Sequence, residues 1–265
     1  MYPYNELTIA DQIHTKWAGK TVHFAREIDS TNLWIKRLAK EGAPEGTLAL
    51  AEFQSAGRGR LGRSWEVPEG TSVMMSILLR PEFAPQYAPT LTLVMGMAVA
   101  KAVQNLGFDV SIKWPNDVVV SHKKICGILT EMGVRDGKID YAVVGVGINV
   151  NVREFPEEMA DKATSLYIES GREFDRSQIP GLVMEAFEDY YGKFAATCDL
   201  SGLKDEYESI LANYNQPVRV LAGKPYEGIA RGITDSGELL VEKKDGTISA
   251  VGAGEVSVRG LYSYV

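Results

Sequence analysis

Residues 21–28 (TVHFAREI) alternate enough between apolar and polar positions to read as a half-buried strand. Ser30-Thr31-Asn32 then offers N-cap chemistry to a helix expected to run to Lys40 and close at Gly42. Residues 47–54 read as a second strand, and 71–79 (TSVMMSILL) as a third, apolar enough to be buried. Residues 90–106 are apolar on nearly all sides, which predicts a core helix stopped by Gly107. Residues 111–114, 118–121, 125–133 and 139–150 give a run of strands, two of them joined through the hairpin signal Asp136-Gly137. Helices are expected over roughly 176–196 and 202–213. From Pro217 only short strands remain, turning at Asp235-Ser236-Gly237 and Asp245-Gly246. That tail, about 50 residues, is short of comfortable independent stability and is expected to dock on the rest as a small β-barrel. The pattern divides the chain into residues 1–213 and 214–265.

Composition narrows the class of molecule. With 265 residues the chain can bury a sizeable core, and 45% hydrophobic with 24% charged residues is the balance of an ordinary globular protein. The net charge of −7 argues against a general nucleic-acid binder. Cys126 and Cys198, the only cysteines, form no CxxC, so neither a disulfide framework nor a zinc cluster is indicated, and a reducing cytoplasm fits. The first residues carry no signal-peptide pattern, and the apolar run 91–100 stops at Lys101, short of the ~20 residues a membrane span needs.

Several common motifs fail by one residue. Gly19-Lys20-Thr21 imitates the end of a P-loop, but the earlier glycine position holds His14. Gly145-Val146-Gly147-Ile148-Asn149-Val150 begins like a dinucleotide fingerprint, yet Val150 stands in the last glycine position. Gly62-Arg63-Ser64-Trp65-Glu66 misses a nucleophile elbow at Glu66. His14, His23 and His122 show no metal spacing.

Two segments carry chemistry. Residues 57–63 (GRGRLGR) alternate glycine with arginine between two strands. Glycine lets the backbone pass close to a ligand, and arginine presents a permanent charge with forked donors, together describing a flap that clamps an anion. Lys113-Trp114-Pro115-Asn116-Asp117 ends one strand in a lysine and a turn in an amide and a carboxylate; Lys124 follows after one more short strand. A hairpin there would return Lys124 to Asp117. A surface ion pair would read the same way and contribute ~0–1 kcal/mol. Concentrated cation beside the flap favours a site for a negatively charged intermediate.

Taken in order, Ser30-Thr31-Asn32, Gln54 with 57–63, 113–117, 124–129 (KICGIL) and 145–149 (GVGIN) resemble the motifs of biotin–protein ligases, from about residue 21 to the end. The resemblance implies an α+β fold: a mixed, largely antiparallel sheet with flanking helices, of class II synthetase type, plus an SH3-like C-terminal barrel. It implies ATP and biotin as substrates with Mg²⁺ expected, biotinyl-5′-AMP as intermediate with pyrophosphate released, and transfer to a lysine of a biotin carboxyl carrier protein. By resemblance, Ser30, Thr31, Asn32 and Gln54 contact biotin, and Arg58, Gly59 and Arg60 close on it. Lys124 touches the carboxylate and α-phosphate, with Asp117 its partner; Lys124, Arg60 and Asp117 are the expected catalytic residues. Arg63, Lys113, Asn116 and Asn149 are the expected ATP and phosphate contacts. The adenine neighbour is open: 159–163 offers no aromatic, and Trp65 is available. The resemblance is to the short form without an N-terminal helix-turn-helix, so specific DNA binding is not expected; homodimer formation stays open. The alternatives are a lipoate or octanoate ligase or transferase and, from another class, a nucleic-acid-binding biotin-responsive regulator.

Overall fold

The structure, a computed structural model, describes residues 3–221, 225–253, 258–260 and 264; parts of the expected C-terminal barrel lie outside these. Seven strands build the main sheet: β1 (Thr21–Ile28), β2 (Thr47–Gln54), β3 (Ser72–Leu79), β4 (Val110–Lys113), β5 (Asp117–Val120), β6 (Lys123–Arg135) and β7 (Lys138–Asn149). Their order is β1-β2-β3-β7-β6-β5-β4. Among these seven strands only β1 and β2 pair in parallel, joined through α2 (Thr31–Lys40); the other pairings between them are antiparallel. The expected mixed, largely antiparallel sheet is what forms. Asp136 and Gly137 both take positive φ in the β6–β7 hairpin, as a tight primed turn requires.

Alternation along the strands decides what covers each face. On β7, Val144, Val146 and Ile148 join the large core beneath α3 (Leu91–Asn105) and α6 (Gln178–Thr197), while Val143 packs with Ile35 and Ala39 of α2. The α3 helix is buried nearly all round, as its composition predicts. The α2 helix has ten residues, a length of about 15 Å, so it covers only part of its face of the sheet. The remainder of that face is open for a site.

Several elements were not legible in the pattern. A five-residue helix α1 (Glu6–Ala10), capped reciprocally by Asn5 and Thr8, precedes the first strand. Two short helices, α4 (Glu157–Ala160) and α5 (Leu166–Ser170), follow β7. The helix expected over 202–213 shrinks to α7 (Lys204–Ser209), because its following residues turn and bridge to β4 instead. Ser30 occupies the N-cap of α2 but makes no side-chain cap bond.

The C-terminal strands β8 (Pro217–Val220), β9 (Tyr226–Ile233), β10 (Leu239–Lys243), β11 (Ile248–Val251) and β12 (Val258–Gly260) form one antiparallel sheet in the order β11-β10-β9-β8-β12. It docks as expected. Buried Trp114 donates from its indole to the Gly237 carbonyl at 3.0 Å, and its backbone N–H donates to Asn213 Oδ1 at 2.9 Å. Thr90 Oγ1 donates to the Ser236 carbonyl at 3.2 Å. The tail is thereby tied to the base of the 113–117 turn.

Candidate active site

The uncovered face is floored by glycine. Register places Gly127 of β6 opposite Gly147 of β7, and Gly145 opposite Ser76 of β3. A Cβ on Gly145 would meet Asn32 Oδ1 at 2.0 Å, and one on Gly147 would meet the Trp65 ring at 2.5 Å. A Cβ on Gly127 would meet both the Lys124 ammonium and the Trp65 ring at 2.9 Å. The glycines of 145–149 therefore serve neither a phosphate loop nor a helix start. They clear a strip of sheet against which larger groups lie.

A polar wall stands over one end of this strip. Ser76 Oγ, buried on β3, lies 2.8 Å from Thr31 Oγ1 and 2.6 Å from Asn32 Oδ1. Gln54 Oε1 accepts from the Thr31 backbone N–H at 2.7 Å. Asn32 Nδ2 donates to the Leu129 carbonyl and, at 2.8 Å, to Glu131, which also holds Lys36 at 2.5 Å. Burial alone would raise the Glu131 carboxyl, but the bonds from Lys36 and Asn32 hold it below its ordinary value. A buried polar wall of fixed orientation suits a ligand with paired donors and acceptors.

Charge gathers near the other end. The Lys124 ammonium stands 2.6 Å from Asp117 Oδ1, and both are largely buried. Burial works against the Asp117 carboxylate, yet Lys124, Tyr264 and Lys113 outweigh it and keep the carboxyl below its usual range. Asn116 Nδ2 donates to Asp117 at 3.2 Å, and Arg60 donates to Asn116 Oδ1 at 2.8 Å. Burial draws the Arg60 guanidinium below its ordinary value, with Asp117 opposing and Arg63 adding to the effect.

The 57–65 loop folds back on itself. Arg58 bridges to Ser64, the Gly59 N–H donates to the Arg63 carbonyl at 2.7 Å, and the Trp65 N–H donates to the Gly57 carbonyl at 3.0 Å. A single 3-10 turn, Arg60–Gly62, makes the bend. Its return delivers Trp65 onto the glycine floor, 5.4 Å from the Lys124 ammonium at the ring centroid. Ser30, Thr31, Asn32, Gln54, Arg58 and Gly59 line one cleft together with Arg60, Trp65, Asn116 and Lys124.

Other expected residues sit elsewhere. Asp117 lies behind Lys124, outside the lining. Lys113 is buried beside it under Tyr264. Arg63 is exposed and outside the cleft lining. Asn149 is buried, donating to the Thr164 carbonyl at 3.2 Å. The 159–163 segment, with no aromatic for adenine, runs beside the site: Lys124 N–H donates to the Lys162 carbonyl, and Thr164 N–H to that of Lys124. Sequence reasoning missed Ser76, Glu131 and Tyr264. The paired polar positions on β3 and β6 were the available signal for the first two.

The site is thus a strip of sheet cleared of side chains, running from a fixed polar wall to a largely buried lysine–carboxylate pair, with an arginine-bearing loop along it. Residues 24–149 match the model of the biotin/lipoate A/B protein ligase family, and residues 214–259 that of the biotin protein ligase C-terminal domain. The chain is 38% identical over 247 residues to the bifunctional ligase/repressor BirA of Bacillus spizizenii, covering 91% of this chain and 75% of that protein. It is 30% identical to the biotin–[acetyl-CoA-carboxylase] ligase of Mycobacterium tuberculosis over 96% of this chain and 95% of the other. The structure of biotin protein ligase from Aquifex aeolicus in complex with biotin and ATP superposes with a TM-score of 0.78 at 33% identity, covering 91% and 99% of the two chains. The chain belongs to the biotin protein ligase family.

Proposed function

We propose that the protein condenses biotin with ATP to biotinyl-5′-AMP and pyrophosphate, then passes the biotinyl group to a lysine of a biotin carboxyl carrier domain. The observation that carries this reading is the Lys124–Asp117 pair, 2.6 Å apart, with Lys124 lining the same cleft as Thr31, Asn32 and Gln54. In this assignment Ser30, Thr31, Asn32 and Gln54 hold the polar ring system of biotin, and its apolar chain lies along the glycine floor. The biotin carboxylate then ends near Lys124. Bringing a carboxylate to the α-phosphate of ATP opposes two anions, so the encounter needs fixed cations. Lys124, Arg58, Arg60 and Lys113 supply them, with Asn116, Asn149 and Arg63 as further nucleotide contacts and Trp65 as the aromatic surface for adenine.

A carboxylate oxygen attacks the α-phosphorus and the bond to pyrophosphate breaks. The carrier lysine amine then attacks the acyl carbon, and AMP leaves. Between the two steps the mixed anhydride must be kept from water, which we assign to the 57–65 loop as a lid. Among the described residues no group of three or more His, Cys, Asp and Glu side chains is gathered for a metal. We treat Mg²⁺ as part of the ATP substrate, held by its phosphates. The protein partner in this reading is the carrier domain of a biotin-dependent carboxylase. We propose no DNA-binding role, since a net charge of −7 works against a polyanion. Among the described residues no helix is long and apolar enough to cross a membrane.

The test is pyrophosphate release from ATP by purified protein offered biotin, lipoate or octanoate. Release with biotin alone is the expected result; release with lipoate or octanoate in its place would overturn the assignment.

A further inference from the structure

The C-terminal chain reaches the charged end of the cleft at two points. The Ala253 carbonyl accepts from Arg60 at 2.6 Å, and the Tyr264 hydroxyl donates to Asp117 Oδ2 at 2.6 Å. The second contact divides the carboxylate: Oδ1 holds Lys124 at 2.6 Å, and Oδ2 holds Tyr264. The same tyrosine ring lies against Lys113, whose ammonium stands 3.5 Å from its centroid. One side chain therefore touches both ionic residues of the 113–117 turn and, through Asp117, bears on Lys124. Tyr264 lies beyond residues 24–149 and 214–259, the segments that the family models match.

A carboxylate held by one oxygen swings readily, because its terminal torsion is broad. A second bond at the other oxygen fixes its plane, and hydrogen bonds to ionised groups are the strong ones. A lysine has several rotatable bonds to immobilise, and an aromatic face holding its ammonium does part of that work. We infer that Tyr264 is a positioning residue for adenylation: its hydroxyl sets the Asp117 plane so that Oδ1 aims Lys124, and its ring sets Lys113. The inference rests on the ligase reading above.

Among the described residues, the charged and titratable groups around Asp117 include Lys124 and Cys126 from β6, Lys113 from β4, Arg60 from the loop and Tyr264 itself. Tyr264 is among those that favour the ionised carboxylate, so removing its hydroxyl moves protonation of Asp117 to higher pH.

The experiment is biotin-dependent exchange of pyrophosphate into ATP across pH, using the full chain. For Tyr264→Phe we expect kcat to fall about tenfold, KM for biotin to stay within about twofold, and the acid limb of kcat to move to higher pH. Tyr264→Leu also loses the ring over Lys113 and should raise KM for ATP. In an Asp117→Asn background, Tyr264→Phe should have no further effect, since the two act as one unit. Wild-type kcat and acid limb in Tyr264→Phe, or an equal loss with and without Asp117, would overturn the inference. Wild-type protein showing no biotin-dependent exchange would overturn the ligase reading, and the inference with it.

Discussion

Trp65 rests against Gly147 so closely that a Cβ on the glycine would lie 2.5 Å from the indole, and the buried Trp65 Nε1 has no hydrogen-bond partner among the described residues. An unpaired buried N–H costs about 1–3 kcal/mol, so this indole sits on the glycine floor at a local expense.

Two alanine substitutions separate the ends of the cleft. Gly147→Ala should displace Trp65, and Gly145→Ala should displace Asn32, whose Oδ1 would stand 2.0 Å from the new Cβ. Forcing a methyl into such a space costs about 1–3 kcal/mol. Gly145→Ala is expected to weaken binding of biotin alone about tenfold or more. Gly147→Ala should chiefly weaken what binds when ATP is also present. Titration calorimetry with biotin, then with biotin and ATP, reads both; matching affinity losses in the two variants would contradict the division of the cleft.

Lys124→Ala tests the cation at the point of attack. The variant should fold, because Lys124 is partly exposed and Asp117 keeps Tyr264 and Lys113 beside it. Its pyrophosphate exchange should drop about 10²–10³-fold, the usual loss when one fixed stabiliser of developing charge is removed. Asp117 would lose its nearest cation, so its carboxyl should move up. Near-wild-type exchange would remove Lys124 from the chemistry.

Glu131 gives a pH dependence of stability with a defined sign. Its folded carboxyl is held below the ordinary value, despite burial, by bonds from Lys36 and Asn32. An acid with a depressed folded pKa stabilises the fold fully above its unfolded value of about 4.3, and loses that contribution as pH falls through the lower folded value. Urea midpoints should therefore decline on acidification below about pH 4, and Glu131→Gln should flatten that part of the curve. An unchanged curve in Glu131→Gln would mean that the pair with Lys36 contributes nothing.

Most of the sheet was readable from sequence because its signals are local. Alternation set β1, Asp136-Gly137 set the hairpin between β6 and β7, and the all-round apolar stretch set α3. The short helices after β7 carried too few periods to be seen. Of the residues singled out from sequence, Thr31, Asn32, Gln54, Arg58, Arg60, Asn116 and Lys124 line one cleft, while Lys113, Asp117, Arg63 and Asn149 stand outside its lining. The surfaces beneath them had no local signal. The role of Gly145 and Gly147 depends on what lies above them, Asn32 and Trp65, and that is fixed by the pairing of distant strands. Ser76 reads as an interruption in an apolar strand until β3 is set beside α2. Tyr264 stands 147 residues from Asp117 in a tail whose local pattern says only that it is C-terminal.

Arg60 joins the loop to both parts of the site, donating to Asn116 Oδ1 at 2.8 Å and to the Ala253 carbonyl at 2.6 Å. Those bonds hold the loop over the cleft, and ordering a glycine-rich segment costs roughly 1–2 kcal/mol per residue. Removing the guanidinium deletes both bonds and one charge facing the anionic intermediate, while Thr31, Asn32 and Gln54 keep their own hydrogen bonds. In Arg60→Gly the adenylate should therefore still form, but leave the cleft faster than a carrier lysine can collect it. Freed biotinyl-AMP acylates whatever amine it meets. Streptavidin blots of a bystander protein mixed with ATP, biotin and enzyme should then show labelling by Arg60→Gly and little by wild type. Adenylate dissociation, followed by rapid filtration, should be at least tenfold faster in the variant, the equivalent of losing a single hydrogen bond to a charged group. Carrier-restricted labelling by both proteins, with equal dissociation rates, would mean that Arg60 does not retain the intermediate and that the loop is no lid.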